Sequence, residues 1–528
     1  MFAGAQIIHR DSISNQKDIG AYVGFAMEKG DQLRIRIGTS FSSWEGAKMN
    51  LQKEIPSWNF ASVVEAAKQT WEQALVQVTV QTNNEKDKRI FYTAMYHSFQ
   101  HPRLFSDVDG TYPKFSGNYA LKKMTDGNYY DDFSMWDIYR AQLPLLEILQ
   151  PSLVNNFVQS MILKGQQGGW LPIFPCWNSY TAAMIGDHVT AFISSAYAKG
   201  IRNYDIKEAY KLMRQNAFDT ASRNEYLNGK SRRALTSYLK YGYIPMEDSV
   251  QEAFHKKEQV SRTLEYAYDD YALSTVAKTL GRADDYKVLQ QRSLNYRNVF
   301  DRSVGLVRGR YATGKWYEPY SPDRREPYIT EGTPRQYTFY VPHDVQGLSA
   351  LMGGSKGLEN SLDTLFKKKE YWHGNEPGHQ IPFMYNYTSS PWKTQQAVRS
   401  ILAEEYSDGP GGLSGNDDAG QMSAWYVFAS IGFYPVNPVS GEYLLCSPLF
   451  DRITLKLPGK KTFIITCYRK SKGANYISTV KLNGKTYPKN FLVYTDIMKG
   501  GKLEMYLSDK PSNWASGMSS RPPGLSSK

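Results

Sequence analysis

The chain has 528 residues, more than one hydrophobic core usually serves, so it holds two or more domains or one large helical body with appendages. A 14% aromatic share, with 39 Tyr and 11 Trp, supplies many flat apolar faces with polar edges, suited to sugar rings as well as to cores. The formal charge of +12 raises nucleic acid as a partner, but basic residues are scattered apart from short clusters such as Lys367–Lys369 and Lys460–Lys461, which argues against it, and no apolar run nears the ~20 residues of a membrane helix.

In chain order, Met1 to Arg10 lacks the basic start and apolar core of a signal peptide. Ala21 to Ala26 and Gln32 to Ile37 (QLRIRI) alternate like half-buried strands and read as the end of a β domain, with too few strands before them to complete a sandwich. Residues 1–55 are therefore expected to be a sandwich remnant, and 56–86 a linking helix and strand. Helices then dominate residues 87–435, with spans expected at Arg89–Gln100, Ser134–Gln150, Leu153–Leu163, His188–Lys199, Val260–Leu280, Asp284–Asn298, Trp392–Glu404 and Gln421–Ile431. The loops between them are long and rich in Gly, Pro, Tyr and Trp, as binding loops on a rigid scaffold are. Short strands and an Asn483-Gly484 turn mark a β region over 436–511, and the Ser-, Gly- and Pro-rich residues 512–528 read as a flexible tail. Cys176, Cys446 and Cys467 have no metal-ligand spacing and allow one disulfide at most.

Several junctions set acids beside aromatics. In YYDDFSMWDIYR, Trp136 and Asp137 fall near a helix start, where Asp137 is either a first-turn acid favoured by the helix dipole or a ligand contact. In MIGDH, Asp187 reads as a cap and His188 as a hydrogen-bonded wall residue rather than a metal ligand. Glu331 precedes Gly332 in a turn ahead of the alternating Tyr337, Phe339 and Val341; at the edge of an apolar wall its pKa would rise as a general acid requires, and in solvent it would be an ordinary loop residue. The segment 373–392 gathers Asn375, Glu376, His379 and Asn386, whose amide and carboxylate oxygens are of the kind calcium takes, without EF-hand spacing. In LSGNDDAGQMSAWYVFASIGFYP, Asp418 reads as an N-cap with Gln421 three residues on, or as a carboxylate held at a pocket mouth. Phosphate loop, dinucleotide fingerprint, nucleophile elbow and HExxH are all absent, which leaves carboxylates and aromatics on a helical scaffold, compatible with glycoside hydrolysis by two carboxyl groups.

The segments WDIYR, GGWLPIFPCWNSYTAAMIGDH, SRTLEYAYDDYALSTVAKTLG, EGTPRQYTFYVPHD, GNEPGHQIPFMYNY, PWKTQQAVRSIL and GNDDAGQMSAWYVFASIGFYPV together resemble glycoside hydrolase family 92, the calcium-dependent exo-acting α-mannosidases, over roughly residues 18–515. The resemblance implies an (α/α)6 toroid behind an N-terminal β-sandwich, here represented only by its last part. It implies inversion, with Glu331 as general acid, Asp418 as general base and calcium on the vicinal hydroxyls of a terminal mannose of a glycan. It places Trp136, Asp137, Asp187, His188, Asn375 and Glu376 around the sugar, Asn416 and Asp417 in support of the base, and Glu376 and Asn416 as candidate metal ligands. Family members are periplasmic or secreted. Two departures stand out: Asn416 occupies a position where many members hold an acid, and Asn375 one where α-1,2-cleaving members often carry His. The alternatives are a truncated, inactive glycan-binding protein and a hydrolase of mannose phosphodiesters; retention of Glu331 leans away from the second.

Overall fold

Helix Gln421–Ile431 is buried along its whole length, and helix Gln259–Thr279 along nearly all of it. A helix buried on every side has to be wrapped by others, and these two lie inside a mainly helical body. In the computed structural model described here, residues 22–249 and 255–527 are placed, together with 18–20 and the short strands Phe2–Ala3 and Gln6–Ile7. Around the two buried helices pack Glu85–Ser98, Gln142–Leu149, His188–Ala198, Ile206–Phe218, Ala283–Arg292 and Trp392–Glu404, with Pro151–Gly168 packed against the second, third and fourth of these. Among the described residues no helix is long and apolar enough to cross a membrane.

The expected helix Ser134–Gln150 is broken into Met135–Ile138 and Gln142–Leu149. The cause is a tertiary contact: the backbone N–H groups of Ala141 and Gln142 donate to Gln421 Oε1 at 2.9 and 3.1 Å instead of to carbonyls one turn back. The break leaves Asp137 and Arg140 on a short, buried turn beside the start of helix Gln421–Ile431.

The N-terminal expectation is corrected. Residues 22–40 form no strand, and Trp44–Glu54, read as the end of a β region, is a helix capped by Ser43, whose side chain accepts from Gly46 N. The alternation in QLRIRI does set two faces apart. Arg34 and Arg36 donate to the carbonyls of Trp58 and Ile55, while Ile35 and Ile37 stay exposed, and among the described residues no strand pairs with this segment, so no ladder forms there. Ala21 lies outside the described residues.

Two sheets close the C-terminal side. One has six strands in the order Lys485–Thr486, Tyr476–Leu482, Gly501–Ser508, Lys461–Arg469, Arg452–Leu457 and Val78–Gln81, so a strand ahead of the helical body completes a sheet made by residues after it. The other joins Phe433–Asn437, Glu442–Leu445 and Phe491–Val493. The Asn483-Gly484 turn has both residues at positive φ, as a tight hairpin demands. The expected flexible tail is docked: Ser526 N and Oγ donate to Asp344 at 2.9 and 2.6 Å, and Gln346 Nε2 donates to Pro522 O. All three cysteines are free thiols.

Candidate functional site

Two loops meet at the N-terminal end of helix Gln421–Ile431. A Cβ on Gly415 would lie 2.3 Å from Gly374 O, and one on Gly374 would lie 2.7 Å from Ser414 O, so both positions need glycine for the loops to touch. This contact sets Asp418 against Glu376. Asp418 and Ala419 have φ of +44° and +59°, and Gly420 continues the left-handed run at +92°. The expected cap is therefore corrected: Gly420 is the N-cap residue, and it is Asp417 whose Oδ1 accepts from Ser423 N at 2.9 Å, with His97 Nδ1 3.4 Å from its Oδ2. The left-handed turn swings Asp418 off the helix end, and its carboxyl is left free for the pocket.

Asp137, Glu376 and Asp418 then offer carboxylate oxygens within 4.8 Å of one another. Ser134 Oγ donates to Asp137 Oδ2 at 2.6 Å, but no donor reaches Asp137 Oδ1 or either oxygen of the buried Glu376. Burial pushes Asp137 well above the usual carboxylate range, with Asp418 and Glu331 adding to it; burial raises Glu376 well above its ordinary value too, with Asp137 and Asp418 adding. Asp418 is raised by burial and by Asp417, while its close approach to Glu376 pulls it down. Opposing the cluster is the buried guanidinium of Arg140, which donates from Nε to Trp136 O at 2.9 Å and lowers both Asp137 and Glu376. Buried carboxylate oxygens without donors are what a hard divalent cation coordinates; Asp137, Glu376 and Asp418 fit one. Asn416, proposed from the family pattern as a ligand, is exposed on the loop just before.

Glu331 sits at φ +50° at the end of its own loop, and Asn375 Nδ2 donates to its carbonyl at 3.1 Å. The residue as a whole is exposed, yet the protein around its carboxyl raises the pKa, with Asp418 adding and His255 opposing. Beside it lies a small cleft walled by Tyr337, Tyr371, Trp372, Asn375 and Pro377. Thus Glu331 and Asp418 face one region electrostatically, each from a strained turn.

The other expected sugar-pocket residues, Trp136, Asp187 and His188, are fully engaged with protein partners. Glu265 and Asp269, four apart on helix Gln259–Thr279, hold His188 between them: Nδ1 is 2.9 Å from Asp269 Oδ1 and Nε2 is 3.3 Å from Glu265 Oε2, all fully buried. The two carboxylates outweigh burial and lift His188 to about 9, so it is an imidazolium at neutral pH. Glu265 Oε1 also accepts from Trp136 Nε1 at 2.9 Å and from Tyr337 OH. Asp187 accepts from Arg232 Nε at 2.9 Å and Asn216 Nδ2 at 3.1 Å, and its own N–H donates to Asp269 Oδ2. Glu265, Asp269, Arg140 and Arg232 are the residues that sequence reasoning passed over, and Gln421, read there as the capping partner of Asp418, instead accepts from the backbone of Ala141 and Gln142. Glu265 and Asp269 carried a signal, acids at i and i+4 inside a helix otherwise apolar on that face.

The fold and the site together define a class of mainly helical proteins with a buried carboxyl cluster and a further carboxyl, Glu331, beside an aromatic-walled cleft. Within that class the chain belongs to the glycosyl hydrolase family 92 catalytic domain family, whose profile matches residues 46–509. It is 28% identical, over 96% of its length and 65% of the relative's, to a protein of Arthroderma benhamiae known as an uncharacterized secreted glycosidase. Among solved structures it superposes with TM-score 0.84 and 35% identity on the family GH92 alpha-mannosidase BT3965 of Bacteroides thetaiotaomicron, covering 92% of this chain and 64% of that one; the same enzyme in complex with mannoimidazole gives 0.85. The family GH92 inverting mannosidase BT2199 of the same organism gives 0.85 at 28% identity, over 92% of this chain and 68% of that one. The chain thus spans a little under two thirds of the first of these relatives.

Proposed function

We propose that the chain is the catalytic region of an inverting, exo-acting α-mannosidase that removes terminal α-linked mannose from glycans, built on an (α/α)6 arrangement of its helices. The observation that carries this reading is the trio Asp137, Glu376 and Asp418, in which Asp137 and Glu376 keep donor-free oxygens, next to Glu331, in a chain similar to two mannosidases. Glu331, whose acid form is favoured by its surroundings, delivers its proton to the glycosidic oxygen as the bond to the anomeric carbon breaks. Asp418 takes a proton from the water that attacks the opposite face, so the configuration inverts. Asp417 holds the turn that aims Asp418, and Trp136, Asn375 and the Glu265–His188 pair fix the walls. Calcium held by Asp137 and Glu376 would bind vicinal mannose hydroxyls and, by its charge, keep Asp418 ionised. The experiment is mannose release from a panel of α-mannosides with calcium and with chelator, followed by NMR of the first-formed anomer. The β-anomer, lost with chelator, is expected; binding without turnover would return the chain to a glycan-binding role, and the α-anomer would remove Asp418 as base.

A further inference from the structure

Apart from the carboxylates in character is a hairpin tip that breaks the usual turn chemistry. Pro175–Cys176 pairs with Ser179–Tyr180, and the two residues between, Trp177 and Asn178, have φ of +50° and +55°. Such a turn ordinarily takes Asn or Gly at both positions, and a bulky ring at its first is disfavoured. Yet Trp177 is there, 79% exposed, with its indole in solvent.

The tip is held from beneath by an unusual amount of buried polar structure. Trp177 N donates to Asp132 Oδ1 at 2.8 Å, and Asn178 N donates to Asp131 Oδ2. Asp131 in turn pairs at 2.7 Å with Lys164, whose ammonium is fully buried and also donates to Tyr129 OH at 2.6 Å; Tyr129 OH donates to Asn178 Oδ1 at 2.8 Å. Asn178 Nδ2 spans to Pro113 O, and Ser116 N donates to Asn178 O, which ties the tip to the adjoining loop that carries Tyr119, itself 84% exposed at φ +59°. A buried lysine–aspartate pair adds little net stability. Here its geometric effect is to fix the backbone under one exposed ring. Strained, over-determined residues of this kind gather at ligand clamps.

We infer that Trp177 is a stacking platform for a sugar ring of the glycan beyond the one that is cleaved. Three observations choose that occupant. The tip's anchor, Asp132, lies five residues before Asp137, so their Cα atoms are at most about 18 Å apart, within reach of a glycan a few units long whose end is in the pocket. An indole face held rigid offers an apolar surface to the C–H side of a pyranose at little entropic cost. Asp132, which holds the tip's backbone, also pairs with the partly exposed Arg103, which stands over Phe41 at 5.1 Å, so charged groups able to meet hydroxyls lie at the base of the tip. The inference rests on the mannosidase reading above.

Its test compares Trp177→Ala and Trp177→Phe with the parent chain on an aryl monomannoside and on an α-linked oligomannoside several units long. The ratio of kcat/KM on the oligomannoside to that on the monomannoside is expected to fall about tenfold in Trp177→Ala, mostly through KM, and to be largely restored in Trp177→Phe. An unchanged ratio overturns the inference. So does a change in sedimentation without a change in the ratio, which would make the indole a protein contact. If the parent chain releases mannose from neither substrate, the mannosidase reading fails by itself. The platform is then tested by titrating oligomannoside calorimetrically: weaker binding to Trp177→Ala supports it, and equal binding sinks it.

Discussion

At Asp417 and Asp418 two adjacent carboxylates do different jobs because the backbone between the loop and the helix is left-handed. Asp417 accepts Ser423 N and so serves the helix end; Asp418 turns into the pocket. Replacing a capping acid by Ala costs about 0.5–2 kcal/mol, so Asp417→Ala should lower the urea midpoint measurably. Asp418→Asn should leave it unchanged or raise it, because a raised, half-buried carboxyl is relieved, while hydrolysis of mannosides falls by on the order of a thousandfold or more. Paired denaturation and rate measurements separate the two; a large stability loss in Asp418→Asn would mean that its charge, too, is structural. Glu331 gives a sharper kinetic signature. Since its pKa is raised, the acid form persists to higher pH and activity falls as pH rises through that value. Glu331→Gln should remove this alkaline limb and lose about a hundredfold or more on poor leaving groups, but far less on activated aryl mannosides that need no protonation. Equal losses on both would place the acid elsewhere.

At the scale of elements, helix Gln259–Thr279 links the two sides of the pocket. Its Glu265 binds Trp136, next to Asp137, and Tyr337, in the cleft wall beside Glu331, while Glu265 and Asp269 together hold the His188 imidazolium. His188 is raised from 6.5 to about 9 in the folded chain, so its stabilisation is complete below pH 6.5 and is lost as pH rises through about 9. Across that window the parent chain should lose stability that Glu265→Gln does not lose to the same extent. Glu265→Gln should also be less stable at neutral pH, by up to the about 3–5 kcal/mol of a broken buried ion pair. Parallel denaturation curves against pH for the two chains would show that His188 titrates with the unfolded state and carries none of this. How much was legible follows from the same elements. Trp392–Glu404 and Gln421–Ile431 have the spans that apolar periodicity predicts, because such periodicity reports the buried face directly. Periodicity is silent on side chains that compete for backbone groups, so the break at Ala141, made by Gln421 from the far end of the chain, could not be read. Nor could QLRIRI be judged, since alternation describes a strand's faces and not whether a partner exists. The segments bearing Asp137, Glu376 and Asp418 could be singled out one by one; their meeting depends on Gly374 touching Gly415, a contact between backbones that no single segment displays.

Over the whole molecule the acidic pocket is an electrostatic exception. The chain carries a formal +12, yet it brings together Asp137, Glu376 and Asp418 from distant segments and gives two of them no donor for at least one oxygen. Like charges held in a buried space oppose folding, and a ligand that binds only the folded arrangement repays that by mass action, raising stability with the logarithm of its concentration. A divalent cation would therefore act as a staple between the short turn at Met135–Ile138, the loop before Glu376 and the end of the loop before helix Gln421–Ile431. Calcium is expected to raise the thermal midpoint progressively once its concentration exceeds Kd, reaching about 2.7 kcal/mol at a hundredfold excess. Glu376→Gln removes one of the mutually repelling groups, so in chelator it should melt at or above the parent's temperature, and in calcium it should gain much less. The two changes have opposite signs, and that separates a metal site from a merely crowded set of acids. If calcium leaves the parent's midpoint where it was while Glu376→Gln still melts higher, the cluster is a protonated carboxyl network, and its role is to position Asp418 rather than to hold an ion.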